Sequence, residues 1–359
     1  MKVAFITDAP KPAGSETWLA QVTPRLLAYG IESTVFLPAR PALQSFAQRL
    51  ASQVEVVVYQ KPGELKDLTA QHDLRFLQGW FPAFYARVLP ALEHPKVLFE
   101  HDQLERHFPL GLGLAARSFY SVTKAAYLSQ VDLVMSGTYW AAEYLHTTYG
   151  ISRVKAVPSG VDFELFAPKS AAWREQKRAQ LGAKGFAVLV PARFAPEKNH
   201  LAVLGTARLA PEIQFLLAGG GGELEGLIHW LAARWHLDNV VFLGQRSDMP
   251  ELYPASDAVF LPTLADNPGL VIMEAMAAGV PVVTSAFPPQ EEIMSSEHGF
   301  LVSPKPAACA LALRQLAADP ELRTAMGQAG RQHVQQTRTL TTTVELLAQT
   351  LLEFAPEKN

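Results

Sequence analysis

Short runs rich in Val, Ile, Leu and Phe alternate along this chain with longer segments whose apolar residues recur at helical spacing. The runs Val3–Thr7, Ser33–Leu37, Val54–Tyr59, Leu74–Leu77, Val97–Glu100 and Leu133–Ser136 predict strands. Segments such as Trp18–Tyr29, Leu43–Ala51 and Tyr139–Tyr149 predict the helices between them. A second set of strands follows: Ala187–Pro191, Ile213–Ala218, Val240–Leu243, Ala258–Pro262, Val280–Ser285 and Phe300–Val302. Alternating strands and helices imply parallel sheets covered on both faces. Two such sets predict an α/β protein built from two doubly wound, Rossmann-like domains.

The boundary falls best in Gly160–Pro168, the run GVDFELFAP halfway along the chain. Residues 1–160 then form one domain and 161–338 a second. Residues 339–359 carry a last helix, about Thr339–Phe354. The chain has 359 residues, 49% hydrophobic and 18% charged, which suits two sizeable cores and argues against disorder. A net charge of -3 gives no basic field for nucleic acid. The single cysteine, Cys309, excludes an internal disulfide and fits a reducing cytosol. The N-terminus is interrupted too soon by Asp8 and Pro10 for a signal peptide, and no apolar run is long enough to span a membrane. A cytoplasmic protein is expected, with peripheral membrane contact left open.

The stretch Leu261–Ser285, LPTLADNPGLVIMEAMAAGVPVVTS, reads as a strand end, a turn, a short apolar helix and a second strand. Asp266 and Asn267 are good N-caps, and Pro268 suits a first helical turn. Gly279 stops the helix. Free N–H groups at the helix start, from Gly269 and Leu270, make a ready site for anionic or hydroxyl-rich ligands.

Other candidates also follow strands, where doubly wound sheets bind ligands. Gly14, after the first strand, lets backbone approach a phosphate, unless its loop is merely a turn. Arg193 and Lys198 flank a turn after Pro191 and are placed to clamp a diphosphate. Gly219 and Gly220, within four consecutive glycines, let backbone come near a nucleotide. His101 follows the run Val97–Glu100, with Asp102 beside it to orient the ring or to cap the next helix. Ser136 reads as an N-cap. The aromatic cluster Trp80, Phe81, Phe84 and Tyr85 reads as core, with an acceptor or membrane contact as the alternative.

The run AMAAGVPVV, Ala275–Val283, with Glu274 before it and Asp266 eight residues earlier, resembles the signature of retaining glycosyltransferases of family 4, which have the GT-B fold. That signature is Glu, seven residues, Glu. The first acid is Asp266 here, and Asn267-Pro268 replaces the usual Gly-Phe. The run Arg193–Lys198 resembles the family's Arg-(x)4-Lys element. VPSGVDFELFAP resembles its interdomain segment.

The resemblance implies two Rossmann-like domains facing across a cleft, with the last helix crossing back to the first domain. It implies transfer of a hexose-type sugar, with retention and without metal, from a UDP- or GDP-sugar to a hydroxyl acceptor, lipid-linked ones included. It implies that Arg193 and Lys198 act on the leaving diphosphate, aided by backbone at Gly14, Asn267, Gly269 and Leu270. Asp266 would bind the transferred sugar's hydroxyls, Glu274 the ribose and His101 the donor sugar. Gly219 and Gly220 would lie near the nucleotide, and backbone at Gly244 and Gln245 near the base. The donor is a substrate, and no cofactor is implied.

Asp266 withdraws its carboxylate by about 1.5 Å relative to Glu, and Pro288-Pro289 stand where the family has Gly-Gly. Two alternatives follow. One is a nucleotide-sugar epimerase, which would convert donor without acceptor. The other is a non-catalytic nucleotide-sugar-binding protein on a degenerate GT-B fold.

Overall fold

The structure, a computed structural model, describes residues 1–101, 112–266 and 269–355. These residues fall into two compact units. One holds the residues up to Ser159 together with those from Leu340 onward, and the other Gly160–Thr339.

The first unit contains β1 (Lys2–Thr7), β2 (Glu32–Pro38), β3 (Glu55–Tyr59), β4 (Leu74–Gln78), β5 (Lys96–Glu100), β6 (Leu133–Ser136) and β7 (Val154–Ala156). All pair in parallel, in the order β3-β2-β1-β4-β5-β6-β7. Alternation along β1 explains the two cores. Val3 and Phe5 point into a layer with Trp18, Phe76, Phe99 and the helix Leu340–Leu352, whereas Ala4 and Ile6 point into one with Tyr85 and Leu145.

The second unit contains β8 (Ala187–Pro191), β9 (Gln214–Ala218), β10 (Val240–Gly244), β11 (Ala258–Leu261), β12 (Val282–Ser285) and β13 (Gly299–Val302). Its parallel order is β10-β9-β8-β11-β12-β13. Ala187 and Leu189 enter one core with Ile272 and Met276, while Val188 and Val190 enter the other with Val203 and Leu313. Each order reverses direction beside its first strand, β1 or β8, so crevices open at those carboxyl ends.

Local readings are corrected in several places. Val154–Ala156 is a strand that hydrophobic runs did not mark, because only two of its residues are apolar. The helix expected at Trp18–Tyr29 is two pieces, α over Gly14–Val22 and 3-10 over Thr23–Tyr29, divided where Pro24 removes an N–H. Thr138, not Ser136, caps Tyr139–Tyr149, accepting from the Ala141 N–H at 3.1 Å. The helix expected to begin at Asp266 or Asn267 begins at Leu270 with Gly269 as its cap. Pro288 and Pro289 open the short helix Pro288–Ile293, where their missing N–H groups cost nothing.

Candidate functional site

In the second unit the loops after β8, β9, β10 and β11 hold one another through backbone. The N–H of Phe194 donates to Gly221 O at 2.9 Å, and that of Leu224 to Phe194 O at 2.9 Å. Gly219 donates to Gly244 O at 2.9 Å. A Cβ on Gly219 would stand 2.0 Å from Ala192 O, and one on Gly222, at φ +113°, 2.5 Å from Phe194 backbone. The glycines are there because backbone crosses backbone. Gly220 and Gln245 touch, a Cβ on the former meeting Gln245 Cβ at 3.2 Å. Gly244 takes φ +68° at a register shift of β10, and both it and Gln245 are exposed.

The cations follow from the next turn. Residues Pro196–Lys198 form one 3-10 turn, and Asn199 leaves it in the left-handed region at φ 53°. Asn199 Nδ2 donates to Pro262 O at 2.9 Å, Thr263 Oγ1 to Glu197 O at 2.9 Å and Leu264 N to the same oxygen at 2.7 Å. These bonds clamp the β8 loop against the β11 loop. Lys198 Nζ consequently donates to Asp266 Oδ2 at 3.1 Å, with both side chains largely buried. Arg193 is exposed and reaches Glu197 Oε1 at 3.3 Å. Arg246, beside Gln245, is forked onto Asp248 at 2.8 and 2.6 Å.

Glu274 lies in the second turn of Leu270–Ala277 and accepts from Tyr253 Oη at 2.5 Å. Burial raises its carboxyl above the usual range, against the lowering effect of that hydrogen bond. Gly269 and Leu270 stand at the start of the helix, with no side chain capping it. Asn267 lies outside the described residues, as does Asp102.

In the first unit, Gly14 is exposed and opens the helix Gly14–Val22, with no atom within 4 Å of a Cβ placed there. The buried Glu16 fixes this turn, accepting from Thr7 Oγ1 and Ala13 N, each at 3.2 Å, Ser15 Oγ at 2.9 Å and Trp80 Nε1 at 3.1 Å. Asp8 accepts from the N–H groups of Trp80 and Phe81 at 2.6 and 3.2 Å. His101 stacks on Phe99 with centroids 4.6 Å apart, and its Nε2 is 2.8 Å from Gln78 Nε2. Burial pushes its pKa down to about 3, so the ring is neutral. Of the aromatic cluster, Phe84 and Tyr85 are core, whereas Phe81 is exposed.

Arg193, Lys198, Asp266, Gly219, Gly220, Gln245, Gly269 and Leu270 thus belong to the second unit, on loops and a helix start after its strands, with Gly244 at the end of β10 and Glu274 one turn into the helix Leu270–Ala277. Gly14 and His101 follow β1 and β5 of the first unit. Sequence reading missed Tyr253, Gln78 and the anchoring role of Glu16. Tyr253 and Gln78 are partners distant along the chain from Glu274 and His101, with no motif to announce them, whereas Glu16 sits in the first turn of its own helix as the third residue of a capping box.

Two family models match the chain in tandem: "Glycosyltransferase Family 4" over residues 12–165 and "Glycosyl transferases group 1" over residues 172–333. The chain belongs to the family 4-type glycosyltransferases. It is 36% identical over 138 residues to EpsF of Bacillus subtilis, covering 37% of this chain and 36% of that one. It is 31% identical over 231 residues to D-inositol 3-phosphate glycosyltransferase 1 of Catenulispora acidiphila, covering 58% and 54%. The match therefore spans about half or less of these relatives' length. Among solved structures, Anabaena Alr3699/HepE in complex with UDP-glucose superposes with a TM-score of 0.84 at 23% identity, over 98% of this chain and 100% of that one. This likeness shows the fold, two parallel-sheet α/β domains of the GT-B type. In this glycosyltransferase-family chain, no three His, Cys, Asp or Glu side chains among the described residues group as metal ligands. Among those residues no helix is long and apolar enough to cross a membrane.

Proposed function

We propose that this chain transfers a sugar from a nucleotide diphosphate sugar to a hydroxyl acceptor, retaining configuration at the anomeric carbon. The observation that carries the reading is the Lys198–Asp266 pair beside the β8 loop, in the unit that also presents Arg193 and Glu274. Departure of a nucleoside diphosphate places negative charge on phosphate oxygens, and fixed cations stabilise that charge without reorganising. Arg193 supplies a fork and Lys198 a point charge. Backbone N–H groups of Gly269 and Leu270 add the positive end of a helix. Cations take the place that a divalent ion holds in metal-dependent transfer.

Asp266 has a twofold role in this reading. It holds Lys198 in place, and its carboxylate accepts from a hydroxyl of the transferred sugar. Glu274, fixed by Tyr253, binds the ribose. Backbone at Gly219, Gly220, Gly244 and Gln245 lines the nucleotide. No side chain is assigned as a nucleophile, and the family resemblance implies that a leaving-phosphate oxygen takes the acceptor's proton. The sugar is a hexose and the base uracil or guanine. Family membership and the likeness to a protein solved with UDP-glucose support the donor class.

The test is proton NMR of the product formed from an α-linked donor and a simple alcohol acceptor, with chelator present. A product of α configuration supports the reading. A β product, or conversion that stops when chelator is added, contradicts it.

A further inference from the structure

Gln290 is completely buried in the short helix Pro288–Ile293, and neither its Oε1 nor its Nε2 has a hydrogen-bond partner. The two prolines fill the first positions of that helix, and the Gln290 N–H closes the turn onto Phe287 O at 2.9 Å. A Cβ built on Gly269 would stand 3.7 Å from Gln290 Nε2. The idle amide therefore lies against the cap of the helix Leu270–Ala277, the same helix start that presents uncapped N–H groups. A buried amide that pairs with nothing is costly, and such a cost points to a partner that arrives with a ligand.

The chemistry of the amide selects that partner. Its oxygen only accepts and its nitrogen only donates. A diphosphate offers acceptors alone and would leave Oε1 idle. A hydroxyl donates and accepts, and a pair of neighbouring hydroxyls satisfies both atoms at once. We propose that Gln290 reads hydroxyls of the transferred sugar and so determines which sugar this protein accepts. The inference rests on the donor reading above and names a residue for its least defined part.

Gln290→Met keeps length and removes both polar atoms. Four donors serve as probes: UDP-glucose, UDP-galactose, GDP-mannose and GDP-glucose, each read by released nucleoside diphosphate, with UDP and GDP affinities measured by calorimetry. The expected result is at least a tenfold loss of discrimination between the preferred donor and its epimer on the same base. Affinity for the free nucleoside diphosphate should stay within twofold, and Tm should hold or rise. Unchanged discrimination overturns the inference, as does equal weakening of free nucleoside diphosphate and donor. A lowered Tm with all donors slowed alike marks Gln290 as structural and overturns it too. If the unaltered protein neither binds nor cleaves any of the four, the donor reading itself falls, which is a separate outcome.

Discussion

Lys198 Nζ stands 3.1 Å from Asp266 Oδ2, across the two loops that leave β8 and β11. The shorter acid is thereby matched to its place. The Thr263 and Asn199 bonds draw the loops together until an aspartate suffices to hold the lysine. Asp266→Glu should therefore not raise turnover. A carboxylate pushed about 1 Å out of place costs on the order of a hundredfold in rate, and steady-state kcat of the variant measures it. A faster variant would show that the aspartate is a defect.

Removing the cation tests the same pair from the other side. Lys198→Ala should lower kcat by about 100- to 1000-fold, the usual cost of one fixed donor to developing negative charge. Arg193→Ala should cost less, because Arg193 is exposed and its charge is screened. Neither substitution should change far-UV circular dichroism.

Two histidines, the half-buried His101 and the buried His200, set a pH dependence of stability. His101 is pushed down to about 3 and His200, tilted against Phe194 with centroids 4.5 Å apart, to about 4, both by burial. The unfolded chain binds protons on both below about 6.5, while the folded chain refuses them. Stability from these groups is complete above about 6.5 and is lost as pH falls toward the folded values. His101→Gln should flatten the slope of unfolding free energy between pH 6 and 4, as urea titrations across that range would show.

Glu274 contributes with the opposite sign. Its carboxyl is raised by burial, so the folded state keeps a proton that the unfolded state has released. Stability attributable to it is full below the ordinary glutamate value and declines as pH climbs through the raised one. Tyr253→Phe removes the hydrogen bond that lowers this carboxyl and should extend the decline to higher pH. Comparing Tm against pH for Tyr253→Phe and Glu274→Gln checks it, because the Gln variant should show no such decline.

The glycines separate into two kinds. Gly219→Ala forces a methyl onto the Ala192 carbonyl, a backbone atom that cannot step aside, and should cost about 3 kcal/mol or more. Gly14→Ala meets open space at a helix start and should stabilise by about 0.5 kcal/mol. Denaturant midpoints distinguish them. If Gly14 serves a phosphate, its alanine variant still loses turnover.

The architecture was legible because its signal is repeated. Apolar runs such as Ala187–Pro191 and Ala258–Pro262 mark buried parallel strands wherever they occur, and all the strands named from the sequence are present. What failed was local and cooperative. The helix starts at Leu270 with Gly269 as its cap, and the carboxylate of Asp266 accepts from Lys198, a residue 68 positions away. Ser136 lost its cap to Thr138, two residues on. The glycine loop pointed to a ligand in sequence, yet Gly219 and Gly222 answer to the backbone of Ala192 and Phe194. Tyr253 and Gln290 carry no spacing signal at all, since their meaning lies in one neighbour and in the lack of any.

The central claim is that the β8 and β11 loops act on the diphosphate of a sugar donor. Its most direct measurement is mass-spectrometric detection of nucleoside diphosphate released from UDP-, GDP- and ADP-sugars by the unaltered protein and by Lys198→Ala. The account predicts slow release from one UDP- or GDP-sugar, cut at least a hundredfold by the substitution. Release that persists undiminished in the variant, or no release and no binding of any donor, would contradict it.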